Sequence, residues 1–149
     1  MENFIDIFDD YGNAFVKKLE FDNNGDWNML DSDEQEIAAI WKFIVDVYNG
    51  GFEQFFLNWG YTCYWYAMRG FQRMGCREIL ELCHRTYMDV FDKFKDDKRI
   101  KSYWDIAGYL DEEDEKILNA LNDAIYDSLG EKMCETAYKF YHEELKKKA

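Results

Sequence analysis

Proline is absent from this chain of 149 residues, so no helix has to be interrupted for want of a backbone N–H. Histidine occurs twice, as His84 and His142, and neither lies in the H-E-x-x-H pattern of a helical zinc site. The four cysteines, Cys63, Cys76, Cys83 and Cys134, form no C-x-x-C pair and no regular framework. They are expected to be free thiols, Cys83 in the core, and no metal or cofactor is expected. A G-x-S-x-G nucleophile elbow is missing, and Gly50-Gly51 lacks the lysine of a phosphate-binding loop. Carboxylates are too numerous for any pair to be diagnostic of hydrolysis. The expectation is therefore a protein that is not an enzyme. No apolar stretch approaches the roughly 20 residues of a membrane span, and the opening Met1-Glu-Asn-Phe-Ile-Asp has no basic leader. Those two absences give the expectation of a cytoplasmic protein.

What the chain does have is apolar and aromatic mass. Apolar residues make up 48% and aromatic residues 19%, enough to build one core and far too much for a disordered chain. The formal net charge is −13, from 31 acidic and 18 basic side chains. Such a balance disfavours direct binding of nucleic acid or an anionic membrane, both of which need clustered Lys and Arg. Its natural complement is a basic protein surface; solubility alone is the simpler explanation of the same charge.

Apolar residues recur at helical spacing throughout. A first helix is predicted from about Asn3 to Leu19 on the stripe Phe4, Phe8, Tyr11, Phe15 and Leu19. A polar loop follows at Asp22–Asp26. Ser32, with Gln35 three residues on, predicts a capping-box start for a second helix, which stops at Asn49-Gly50-Gly51. Further helices are predicted over Phe52–Trp59, Tyr61–Met74, Arg77–Phe94, Asp111–Leu129 and Glu131–Lys146, with a short helical turn over Ser102–Tyr109 and a charged, exposed Lys95–Lys101. The fold class is all-α: a single domain of about seven helices around an aromatic core.

The run Asn49-Gly50-Gly51-Phe52-x-Gln54-Phe55-x-x-Asn58 is the most distinctive stretch. A helix stop is followed by a helix with Phe52, Phe55, Phe56 and Trp59 on one face and the amides Gln54 and Asn58, four apart, on another. The amides of Asn49, Gln54 and Asn58 read first as a structural latch on helix ends, and alternatively as the polar floor of a ligand-binding or enzymatic pocket. The motif resembles the signature of a bacterial family of small, acidic, all-helical DNA-mimic proteins. The resemblance spans roughly residues 30–144 and leaves the first helix outside. It implies a homodimer whose acidic surface occupies a helix-turn-helix transcription factor in place of DNA.

Two acidic blocks are the candidate partner-binding surface: Asp22, Asp26, Asp31, Asp33, Glu34 and Glu36 in a stretch with no Lys or Arg, and the unbroken Asp111-Glu112-Glu113-Asp114-Glu115. Carboxylates three or four apart on a helix stand about 5–6 Å apart, so a row of them approximates a line of phosphates. Acidic residues are expected at helix N-termini in any case, which accounts for the second block better than for the first. The same surface would suit an immunity-type inhibitor of a basic toxin. Arg69, Arg73 and Arg77, four apart, are set to pair with the protein's own carboxylates or with a subunit partner.

Overall fold

A computed structural model describes residues 3–148; the acidic Met1–Glu2 opening lies outside it. Helix α1 (Phe4–Lys17) starts where the Asn3 side chain accepts hydrogen bonds from the N–H groups of Ile5 and Asp6 at 3.0 and 3.4 Å. It runs on through one wider π turn, Lys18–Asp22, that carries Leu19 fully inside. The predicted polar loop is a tight reversal at Asn24 and Gly25, both with positive φ.

Helix α2 (Ser32–Arg73) is the spine of the molecule. Its capping box lies one residue earlier than predicted. Asp31, not Ser32, accepts from the Glu34 N–H at 3.0 Å, and the Glu34 carboxylate accepts from the Asp31 N–H at 3.0 Å. A carboxylate is the better acceptor against the positive end of a helix. Gln35 instead turns back and donates to the carbonyls of Trp27 and Leu30. Three predicted helices run together in α2, so the described residues form five α-helices, joined by short π and 3-10 turns, where about seven helices were expected. The glycines still bend the chain: Gly51 has φ 83° and Gly60 φ 78°, values that favour glycine. A side chain at Gly60 would also run into the Tyr103 ring, so the break lets another segment approach closely.

Helix α3 (Arg77–Thr86) continues through a π turn (Tyr87–Phe91) that buries Tyr87, Val90 and Phe91. The expected short turn is a 3-10 helix, Tyr103–Tyr109. Helix α4 (Glu112–Ile125) opens with an Asp111/Asp114 capping box, and helix α5 (Glu131–Lys146) packs back on α1 through Tyr138 against Phe4 and Tyr11. No strand occurs among the described residues. The core is aromatic, as expected. Phe56 stacks on Phe91 at 4.2 Å and Tyr64 on Tyr87 at 4.6 Å, while Phe43 meets Phe55 and Phe71 edge-on. Such pairs add about 0.5–1.5 kcal/mol each beyond the area they bury. The four cysteines are free; Cys63, Cys83 and Cys134 are buried and Cys76 half-buried. No helix is long and apolar enough to cross a membrane among the described residues.

Candidate functional site

The amides of the glycine motif converge on a carboxylate that the sequence reading did not single out. Asp46, one turn before Asn49 on α2, is buried. Its Oδ1 accepts from Gln54 Nε2 at 3.1 Å, and its Oδ2 accepts from Asn58 Nδ2 at 3.2 Å and Trp59 Nε1 at 2.7 Å. Asn49 donates to Gln54 Oε1 at 3.2 Å, and Trp104 donates to Asn58 Oδ1 at 3.0 Å. The donors come from beyond the glycine break and the acceptor from before it, so the network sets the bend in α2. The first N–H freed after the break, that of Phe52, is satisfied by Asn122 Oδ1 of α4 at 2.8 Å, and Asn122 in turn donates to Glu53. Burial pushes the Glu53 carboxyl above its usual range, with the Asn122 hydrogen bond opposing. Above the ring of Trp59, at 3.1 Å from its centre, sits the ammonium of the buried Lys42, which also bridges to Glu20 at 3.1 Å. The motif amides thus bond to one another, to Asp46 and to Trp104, and none of these bonds goes to a backbone group at a helix end.

The first acidic block divides in two. Asp22, Asp26 and Asp31 are exposed and Glu34 is half-buried, salt-bridged to Lys18 at 2.7 Å. Asp33 and Glu36 are not on the surface, contrary to the sequence expectation. Glu36 is fully buried, held by Arg69, by Arg73 at 2.7 Å and by the Tyr141 hydroxyl, which donates at 2.9 Å. Asp33 is bridged by Arg73 at 2.7 Å and Lys148 at 2.5 Å. Burial alone would push the Asp33 carboxyl up, but the hydrogen bonds from Lys148 and Arg73 outweigh it and hold it below the usual carboxylate range. Burial, reinforced by Glu36, pushes the Tyr141 phenol far up, so it stays a donor. The arginine row therefore serves the protein's own carboxylates, as one of the two expectations had it. Arg77 does not join, because α2 ends at Arg73.

In the second block Asp111, Glu112, Glu113 and Glu115 are exposed, whereas Asp114 is buried and bridged to Lys93 at 2.7 Å. Asp114 too is thereby removed from the candidate surface. Its position one turn before Leu118, on the apolar stripe, turns it inward. What remains outside is two separate groups of carboxylates, Asp22, Asp26 and Asp31 near the start of α2 and four at the start of α4.

Other reactive groups are quiet. Burial pushes the thiols of Cys63, Cys83 and Cys76 above their ordinary value and that of Cys134 to about 11, which leaves little thiolate. His84 is exposed and shares a hydrogen bond of 3.2 Å with the Tyr64 hydroxyl, while His142 stacks on Tyr138. No group of three or more His, Cys, Asp or Glu side chains could hold a metal ion among the described residues. A cleft of about 640 Å³ opens elsewhere, between the starts of α3 and α5, lined by Arg77, Ile79, Leu82, Ile125, Lys132 and Met133; none of the motif amides faces it.

No curated protein sequence and no solved structure matches the chain. The sequence model of one family, described as DMP19-like protein, matches residues 28–144. That span holds the glycine break with its Asp46 latch, the buried Glu36 cluster and both exposed carboxylate groups except Asp22 and Asp26, and on it the chain belongs to the DMP19-like protein family.

Proposed function

We propose that this protein is a non-enzymatic, cytoplasmic interaction protein of the DNA-mimic kind, whose exposed carboxylates occupy the DNA-binding surface of a basic regulator of the helix-turn-helix class. The observation that carries the reading is the exposed first turn of α4. Asp111, Glu112, Glu113 and Glu115 stand in solvent, while Lys93, the cation bridged to this turn, is drawn onto the buried Asp114. Family membership and a net charge of −13 support it. Helical carboxylates about 5–6 Å apart offer a cationic groove reader a charge density of the same order as a DNA strand, one per about 3.4 Å.

The ligand-pocket reading of Asn49, Gln54 and Asn58 is the weaker one, because Gln54 and Asn58 point their N–H groups at Asp46 and Asn49 donates to Gln54. An inhibitor of a basic toxin would use the same carboxylates and differs only in its partner.

The test uses the purified protein as bait in its native lysate at low and high salt, followed by competition of the captured protein against its DNA duplex. The reading expects a DNA-binding regulator, released by salt, whose duplex is displaced by the wild type but not by D111N/E112Q/E113Q/E115Q. Salt-insensitive capture, or displacement by the variant at wild-type concentration, would overturn it. Capture and inhibition of a nuclease would favour the toxin reading.

A further inference from the structure

One apolar face is left uncovered by the fold. Between α1 and the first half of α2 lies a groove of about 150 Å³, lined by Ile5, Phe8, Trp41, Ile44, Val45 and Tyr48 and closed at one end by Leu129 and Cys134. The α2 side is a helical row, Trp41, Ile44, Val45 and Tyr48, at the i, i+3, i+4, i+7 spacing of one helix face. Tyr126 extends it by an edge-on contact with Tyr48 at 4.9 Å. Ile5, Val45, Tyr48 and Tyr126 each leave 39–49% of their surface in water, and a contiguous set of that kind marks an interaction surface more often than chance exposure.

The charged side chain that lines the groove is acidic. Asp9 stands in the wall, where its Oδ1 accepts the Trp41 indole N–H at 2.9 Å. Exposed Asp127 directly follows Tyr126, the ring in contact with Tyr48, and exposed Glu131 lies one turn before Cys134 on α5. Burial is the main cause that raises the Tyr48 phenol and the Cys134 thiol, with nearby carboxylates adding to it. No Lys or Arg is among the described residues that line the groove. An apolar floor with a carboxylate rim is the complement of an amphipathic helix carrying Lys or Arg beside its apolar face.

We infer that this groove is a docking site for a basic amphipathic helix of a partner protein, anchored by apolar side chains between Ile5, Val45 and Tyr48 and flanked by ion pairs to Asp9, Asp127 and Glu131. The inference goes beyond the DNA-mimic reading, which draws on charge alone, and it stands on different residues.

A synthetic leucine–lysine amphipathic helix of about 15 residues, and its leucine–glutamate counterpart, are the probes. Each is titrated into isotope-labelled full-length protein and followed by amide and indole NMR shifts. The lysine peptide is expected to move the Trp41 indole N–H and the amides of Val45 and Tyr48, and the glutamate peptide to leave them in place. V45E and D9N/D127N/E131Q should each weaken the lysine peptide by roughly tenfold, with unfolding curves showing that both variants are folded. D111N/E112Q/E113Q/E115Q should bind it like the wild type, so failure here and failure of the mimic reading are distinguishable. Shifts that map elsewhere, equal binding of both peptides, or wild-type binding by V45E would overturn the inference. So would concentration-dependent self-association that buries these same amides, since a second copy would then be the occupant.

Discussion

Asp46 and Trp59 lie on opposite sides of the Gly50–Gly51 break, and a 2.7 Å hydrogen bond from indole N–H to carboxylate ties them together. Gln54 and Asn58 donate to the same carboxylate. Asp46→Ala leaves three side-chain donors without their acceptor, so a loss of about 3 kcal/mol is expected. Asp46→Asn should lose less, because one amide oxygen can still accept. Urea unfolding of both variants checks this, and a loss under about 0.5 kcal/mol for the alanine variant would show that water replaces the latch without penalty.

Glu36 presents the sharper case. Its removal would take a carboxylate acceptor from Arg69, Arg73 and the buried Tyr141 hydroxyl at once, although Arg73 keeps Asp33 and Arg69 keeps Gln35. Glu36→Ala is expected to cost about 2–3 kcal/mol. By contrast, E112Q/E113Q/E115Q should stay within about 0.5 kcal/mol of the wild type. Measuring both by chemical denaturation separates internal from external acidity. It also bears on any binding experiment: a variant neutralised at Asp31, Asp33, Glu34 and Glu36 together would lose partners by unfolding, whatever its surface does.

The approach of Tyr103 to Gly60 can be tested by a double-mutant cycle. Gly60→Ala meets both the positive φ and the Tyr103 ring, and about 2–3 kcal/mol of destabilisation is expected from strain and crowding together. In a Tyr103→Ala background the crowding disappears and only the backbone part remains, so the two losses should not add. Strict additivity would mean that the ring moves aside freely.

Stability should fall with acid in a way traceable to Asp33. Its folded carboxyl is held below the usual range by Lys148 and Arg73, which overcome its burial. A depressed folded pKa contributes stability that is present above the unfolded value and lost as pH falls through the folded one. The contribution is therefore complete at neutral pH and fades below the ordinary carboxylate range. Asp33→Asn should flatten that part of the stability–pH curve in thermal melts; an unchanged slope would assign the acid loss to other groups.

Thiol chemistry offers a direct probe of the packing. Cys63 and Cys83 are fully buried with raised thiols, and Cys76 is the one that is only half-buried. A disulfide reagent added to native protein should label Cys76 first and reach all four only after denaturation. Equal reactivity of Cys63 in the native state would contradict the packing around it.

Much of the helical order was readable from spacing, and the break at Gly50–Gly51 from composition. The division of the acidic blocks into inner and outer carboxylates was readable as well, had period been weighed above charge. Asp33 and Glu36 fall on the stripe of Ile37, Ile40 and Ile44, and Asp114 on that of Ile117, Leu118 and Leu121. A charged residue on an apolar stripe needs a partner, and Arg69 and Arg73, four apart, were available. Asp46 was harder to find, because its partners lie across the break and only the bent chain brings them together. Asn122 was invisible for a related reason: its role is to receive a Phe52 N–H that is freed 70 residues away in the chain.

The double glycine looks like a place to open the chain, and the fold makes it the wrong one. Gly51 is buried, the next amide is hydrogen-bonded to another helix, and a carboxylate before the break holds side chains from beyond it. A circular permutation or inserted domain there would cut the longest helical element in two and expose Asp46. New termini belong at Asn24–Gly25 or in the charged segment 95–101, where the backbone turns at the surface.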